Sequence, residues 1–242
     1  AILDILDSKP KIDYQAILQY LHYLYVPEPN TIFEDIKKLP PGHSLVYQNG
    51  EIKINRYWNI ENYIGNSQHL NEIEIIEELD KLINDSVSKR MIADVELGSF
   101  LSGGLDSSTI LYYMSKNSSK PVNTYTLGFK DAKKYDETED AKLLSEYFGT
   151  NHNEIIIEPN ITSLLPKMVK HFDEPFGNPT SLLIHELTKE TKKFATVALA
   201  GDGGDEIFGG YPRYEALNLY SKTKYLPKQL FKLLSSFIKF LP

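Results

Sequence analysis

The 242-residue sequence has no cysteine and only one tryptophan. Without cysteine there is no disulfide, no thiolate metal site and no cysteine nucleophile. Positive charge is also short: 26 Lys and Arg stand against 33 Asp and Glu, a formal net charge of −7, which argues against a general nucleic-acid-binding surface. No apolar run approaches membrane-spanning length, and the opening Ala1-Ile2-Leu3-Asp4 lacks the form of a secretory signal. Neither Gly-x-x-x-x-Gly-Lys-Ser/Thr nor Gly-x-Gly-x-x-Gly occurs, which excludes the usual nucleoside triphosphatase and dinucleotide fingerprints. Internal repeats and low-complexity segments are missing too. What remains is a chain whose hydrophobic content, 41%, can build one sizeable domain. The default expectation is a cytoplasmic protein with neither nucleic acid nor membrane as partner.

The most informative stretch is Ser99-Phe100-Leu101-Ser102-Gly103-Gly104-Leu105-Asp106-Ser107-Ser108-Thr109-Ile110. It reads as an apolar strand ending at Leu101, a tight glycine turn, and a helix opening near Asp106 or Ser107. Adjacent glycines allow positive φ and let backbone N–H groups approach a ligand without an intervening Cβ. The hydroxyls of Ser102, Ser107 and Ser108 lie beside the positive end of the helix, so the turn is a ready cradle for phosphate. Asp106 alone would repel that phosphate, and it makes sense if a divalent cation bridges carboxylate and phosphate oxygens. The competing reading is an ordinary capped strand-to-helix turn, because Ser, Gly and Asp all favour such places.

Around this stretch, strands and helices alternate. Leu97–Leu101 reads as a strand, Ser107–Ser115 as a helix, Val122–Leu127 as a strand and Glu137–Phe148 as a helix closed by Gly149. His152–Ile157 reads as a strand, Ile161–Phe172 and Ser181–Lys193 as helices, and Thr196–Ala200 as a buried strand. That order implies an α/β fold with a mostly parallel twisted sheet and helices on both faces, whose ligand lies beyond the carboxyl ends of the strands. Ahead of it, Ile73, Ile76, Leu79, Ile83 and Val87 mark a helix over 71–91. Further upstream, Asp13 caps a helix with Tyr14, Ile17, Leu18, Leu21 and Leu24 on one face, ended by Pro27 and Pro29. Alternating residues from His43 to Trp58 flank Asn49-Gly50, a strong hairpin signal. The polar 131–140 stretch reads as solvated surface leading into a helix. His22, His43 and His69 show no ligand spacing, and His171 and His185 read as core or surface residues.

Ser-Gly-Gly-Leu-Asp-Ser-Ser resembles the pyrophosphate-binding loop of the ATP pyrophosphatases, which cleave ATP to AMP and pyrophosphate to activate a carboxyl or carbonyl group. A second stretch, Leu199-Ala200-Gly201-Asp202-Gly203-Gly204-Asp205-Glu206-Ile207-Phe208-Gly209-Gly210-Tyr211, follows in the order expected of the synthetase domain of glutamine-hydrolysing asparagine synthetases and their amidotransferase relatives. Val26-Pro27-Glu28-Pro29-Asn30-Thr31-Ile32-Phe33 and Leu39-Pro40-Pro41-Gly42-His43 also resemble that family, so the likeness runs from about Tyr14 to the end. The resemblance implies an adenine nucleotide α-hydrolase-like fold. It divides the chain into residues 1–70, a leading helix, linker and β-hairpin that follow a glutaminase domain, and residues 71–242, a synthetase domain whose carboxyl end is incomplete. It implies an ATP-dependent ligase that activates the side-chain carboxyl of aspartate as aspartyl-AMP for attack by ammonia, derived from glutamine in the longer enzyme, and it leaves room for a homodimer.

By the same resemblance ATP and Mg2+ are the cofactors. Leu101, Leu127 and Gly128 line the adenine and ribose pocket, Ala200 and Gly201 lie beside the nucleotide, and Ser102, Gly103, Gly104, Asp106, Ser107 and Ser108 hold the pyrophosphate. Bunched carboxylates repel one another unless a cation or proton intervenes, so Asp106 and Asp205 are assigned to magnesium. Asp202 stands where relatives often carry a glutamate that handles ammonia; its shorter side chain keeps the charge and shifts its reach. A calcium-type acidic turn is the other reading of this loop, which lacks the calcium-loop pattern. Asp173-Glu174-Pro175-Phe176 faces the amino-acid substrate or merely ends a helix. The acceptor is not fixed by these motifs: a sugar uronate or another carboxylate is the alternative, as is a nucleotide-binding domain without turnover. A transfer-RNA-modifying pyrophosphatase shares the first loop but usually carries the basic surface or cysteines missing here. The basic group that neutralises departing pyrophosphate comes from beyond the second loop in relatives. Lys222, Lys224 and Lys228 are the nearby candidates, so the chain as given is expected to bind nucleotide and turn over poorly.

Overall fold

The computed structural model describes residues 2–65, 70–129, 136–158 and 161–223. His69, half of the 131–140 stretch, Lys224 and Lys228 fall outside them. The centre is a four-stranded sheet of β3 (Leu97–Phe100), β4 (Asn123–Phe129), β5 (Asn151–Ile157) and β6 (Val197–Leu199), in the order β5-β4-β3-β6 with every pair parallel. Helices α4 (Leu105–Asn117) and α5 (Thr138–Phe148) cover one face, where Leu101, Leu111, Met114, Val122 and Ala141 form a buried cluster. Helix α7 (Thr180–Thr191), backed by α6 (Ile161–Phe172), covers the other, where Leu183 and Leu187 pack on Tyr125, Ile155 and Ile157. The pleat explains the division: Tyr125, Leu127 and Phe129 point one way along β4, and Thr124, Thr126 and Gly128 the other. This is the parallel α/β architecture expected from the alternation.

Helix α3 (Glu72–Arg90) begins with a capping box in which Asn71 accepts from the N–H of Glu74 and Glu74 Oε2 accepts from the N–H of Asn71. Its expected apolar stripe is only half used. Ile83, Val87 and Met91 join the core, and Asp80 accepts from the Tyr113 hydroxyl at 2.7 Å, whereas Ile73 and Ile76 stay exposed.

The leading segment holds a short α1 (Ile2–Ile5), α2 (Tyr14–Tyr23), and the antiparallel hairpin β1 (His43–Gln48) and β2 (Glu51–Arg56). Asn49 and Gly50 both have positive φ, 53° and 83°, as a type I′ turn requires. Asp13 caps α2 by accepting from the N–H groups of Gln15 and Ala16. Of the apolar face read for α2, only Ile17 packs against the neighbouring cluster. Tyr14, Leu18, Leu21 and Leu24 are exposed, and the helix packs through Ala16, Ile17 and Tyr20 against Val26, Ile32 and Phe33, because the small Ala16 lets the following loop come close.

Three further expectations shift. Helix α4 starts at Leu105, before Asp106. β4 extends to Phe129, beyond Leu127. The strand expected to be buried over 196–200 is the three-residue β6, which pairs only with β3 among the described residues and leaves Val197 exposed.

Candidate active site

The carboxyl ends of β3, β4 and β6 open onto one cavity of ≈ 370 Å³. It is lined by Leu101, Ser102, Asp106, Ser107, Leu127, Ala200, Gly201, Asp202 and Asp205, so nine of the expected site residues share a single space. Phe100, Tyr125, Thr126, Thr180, Ile184 and Leu187 complete the walls, together with Glu137.

The first loop is built by its own hydroxyls. Ser107 Oγ donates to the Gly104 carbonyl at 3.1 Å and accepts from the Ser102 N–H at 3.2 Å, while Ser108 Oγ donates to the same carbonyl at 2.6 Å. Ser102 Oγ in turn accepts from the Gly104 N–H at 3.3 Å. The serines therefore brace the turn before they meet any ligand. Gly104 stands at the N-cap of α4 and gives it no side-chain cap, so the first N–H groups of the helix stay available to an anion. Gly103 has φ +81°, and a Cβ there would lie 2.6 Å from the Cβ of Asp140, so the turn is pressed against the first turn of α5. Gly103, Gly104, Ser108 and Gly128 do not line the cavity. Gly128 instead lets β4 close onto Ile156 and Thr138.

The second loop, which follows β6, lies on the first. Gly201 abuts the backbone of Asp106 and Ser107, and Gly204 abuts the Asp106 carboxylate. Gly203 turns the chain at φ +94° into the short α8 (Gly204–Phe208). Behind it the Gly210 N–H donates to the Asp205 carbonyl at 3.0 Å, and the Tyr211 hydroxyl donates to Glu206 at 2.6 Å. The Arg213 guanidinium sits 4.6 Å from the Tyr211 ring centroid. The bond to Glu206 pushes the Tyr211 hydroxyl up to about 12 and pulls the Glu206 carboxyl below its usual range.

Four carboxylates thus border one cavity: Asp106, Glu137, Asp202 and Asp205. Glu137 was missed, because it falls in the polar stretch read as solvated surface. The available signal was its place at the start of the helix that leaves β4's carboxyl end, where ligands of such sheets bind. Burial, with Asp140 next, pushes its carboxyl above the usual range. Among the described residues no group of three or more His, Asp or Glu side chains is gathered around a metal position. Two carboxylates suit Mg2+ held partly by substrate phosphates and water; Asp106 lies against Gly204 of the second loop and Asp205 lines the same cavity, with its carboxylate turned toward Gly210. Glu174 does not reach the cavity. Its carboxylate bonds Lys38 of the leading segment, and Asp173, with φ +59°, ends α6. Neither His171 nor His185 lines the cavity.

A parallel α/β sheet with a glycine-bounded cavity at its strand ends has the ligand position of open α/β folds. The family comparison makes it specific. The asparagine synthase family model matches residues 78–239, and the glutamine amidotransferase domain model matches residues 1–58. The chain belongs to the asparagine synthase family. It is 35% identical over 210 residues to a putative glutamine-hydrolysing asparagine synthetase 2 of Methanocaldococcus jannaschii, covering 85% of this chain and 40% of that protein. Against asparagine synthetase 1 of Bacillus subtilis it is 34% identical over 226 residues, 93% of this chain and 35% of that protein. The chain therefore spans well under half the length of these relatives.

Proposed function

We propose that this chain carries the ATP-binding part of an amide-forming ligase that activates the side-chain carboxyl of aspartate as aspartyl-AMP, releases pyrophosphate, and yields asparagine on attack by ammonia. The observation that carries the reading is the seating of the second loop on Asp106, which brings both family loops to one cavity at the strand ends. The names of the relatives support the acceptor and, with the match of residues 1–58, glutamine as the nitrogen source. On this reading residues 1–70 are the helix, linker and β-hairpin that follow a glutaminase domain, and residues 71–242 form the synthetase domain.

Adenylation requires a carboxylate to meet the α-phosphate while pyrophosphate departs. The open N–H groups of α4 and the Ser102–Ser108 turn hold the pyrophosphate, with Gly103 and Gly104 admitting it to the backbone. Leu101 and Leu127 take the nucleoside, with Gly128 behind them and Ala200 and Gly201 alongside. Asp106 and Asp205 would hold Mg2+, which when bound would supply charge neutralisation. Asp202, which lines the same cavity, takes a proton from attacking ammonia on this reading. Pyrophosphate release with aspartate, with a panel of other carboxylates and with no acceptor tests the proposal. Aspartate-dependent release supports it, and release with another acid alone transfers the site to that acceptor.

A further inference from the structure

We infer that the ion pair between Lys38 and Glu174 positions the α7 wall of the nucleotide cavity and so ties the segment matching the glutamine amidotransferase domain to the site where ATP binds. The inference rests on the proposed nucleotide site and adds to it a pair of positioning residues.

Lys38 belongs to the 1–58 match and Glu174 to the 78–239 match. The two side chains are only 26% and 19% exposed, and the Lys38 ammonium also donates to the Val26 carbonyl at 2.8 Å. Among the described residues the second carboxylate oxygen of Glu174 is buried without a hydrogen-bond partner, and Lys38 is the cation that pairs with this charge. Burying such a pair costs desolvation, and an apolar pair of similar volume is often as stable, so stability alone is a weak reason for it.

Two more contacts cross the same joint. The Gly177 N–H donates to the Leu24 carbonyl at 2.8 Å, and a Cβ on Gly177 would lie 2.9 Å from the Leu24 Cβ. From there to the cavity the chain has little slack. Pro175 and Pro179 restrict φ. The Asn178 side chain accepts from the Thr180 N–H at 3.0 Å, and its carbonyl accepts from the Ser181 hydroxyl at 2.7 Å. Thr180, Ile184 and Leu187 then line the cavity. A movement of the leading segment therefore reaches the nucleotide wall through seven residues, from Glu174 to Thr180, with both ends fastened.

The test is Mg-ATP affinity by calorimetry, beside melting temperature, for the parent chain, for Lys38→Met/Glu174→Leu, and for the exchanged pair Lys38→Glu/Glu174→Lys. The apolar pair is expected to melt near the parent yet bind Mg-ATP about threefold to thirtyfold more weakly, with the exchanged pair recovering part of the loss. Parent-like affinity in the apolar pair overturns the inference. Hydrogen exchange on the unmodified chain gives a second reading that needs no variant to fold. Mg-ATP should slow exchange of the Gly177 amide along with those of α7, because coupling is reciprocal, and unchanged exchange at Gly177 contradicts the inference. Failure of the parent chain itself to bind Mg-ATP refutes the nucleotide site, and this inference with it.

Discussion

A Cβ on Gly201 would lie 2.8 Å from both the carbonyl carbon and the Cβ of Asp106, so the second loop rests directly on the first turn of α4. Gly201→Ala must push the two loops apart. The expected cost is about 1–3 kcal/mol of stability, read from the denaturation midpoint, with weaker Mg-ATP binding. Gly204→Ala meets the Asp106 side chain instead of backbone. It should cost less stability and show its loss of ATP affinity mainly when magnesium is present. Equal behaviour of the two variants would mean that Asp106 has no separate part in metal binding.

Asp106→Asn keeps the shape of the side chain and removes its charge. On the proposed reading, loss of a negative charge beside the phosphates should help ATP unless a cation was bound there. The variant is expected to weaken Mg-ATP binding on the order of tenfold or more and to leave metal-free ATP binding unchanged or tighter. Calorimetry in magnesium and in chelator checks this, and equal losses in both contradict the metal role.

The architecture was legible in the sequence because apolar runs alternate with helical periodicity, and Asn49-Gly50 and Asp13 carry their own local geometry. The face of α2 was not. Periodicity reports which residues are apolar, and in α2 the partner selected Ala16 over Leu18 and Leu21. Glu137 and Glu174 failed for a related reason. Glu137 sits in a polar stretch and Glu174 at a helix-ending turn, and only the folded chain shows that one faces the cavity and the other a lysine more than a hundred positions earlier.

His152 lies outside the site and gives a pH prediction. Its Nδ1 lies 3.0 Å from the Thr124 hydroxyl, and its Nε2 is buried with no partner among the described residues, so a second N–H would have none of them to donate to. Burial pulls its value below 6.5, with Lys142 acting in the same direction and Glu154 against. Between the lowered value and 6.5 the unfolded chain binds more protons than the folded one, so stability rises with pH across that window. The contribution is intact above 6.5 and is lost as pH falls. Melting temperatures followed downward from pH about 7.5 should fall more steeply for the parent than for His152→Gln. Parallel profiles would show that His152 is not the group responsible.

The central claim is that this cavity activates a carboxylate by adenylation. The full-length enzyme is supplied with ATP, magnesium, ammonia and aspartate labelled with ¹⁸O in its side-chain carboxyl, and the phosphorus-containing products are separated and weighed by mass spectrometry. Attack of the carboxylate on the α-phosphate leaves one labelled oxygen in AMP, with unlabelled pyrophosphate. Label in inorganic phosphate, with ADP as the nucleotide product, would mean activation by phosphoryl transfer and would contradict the account.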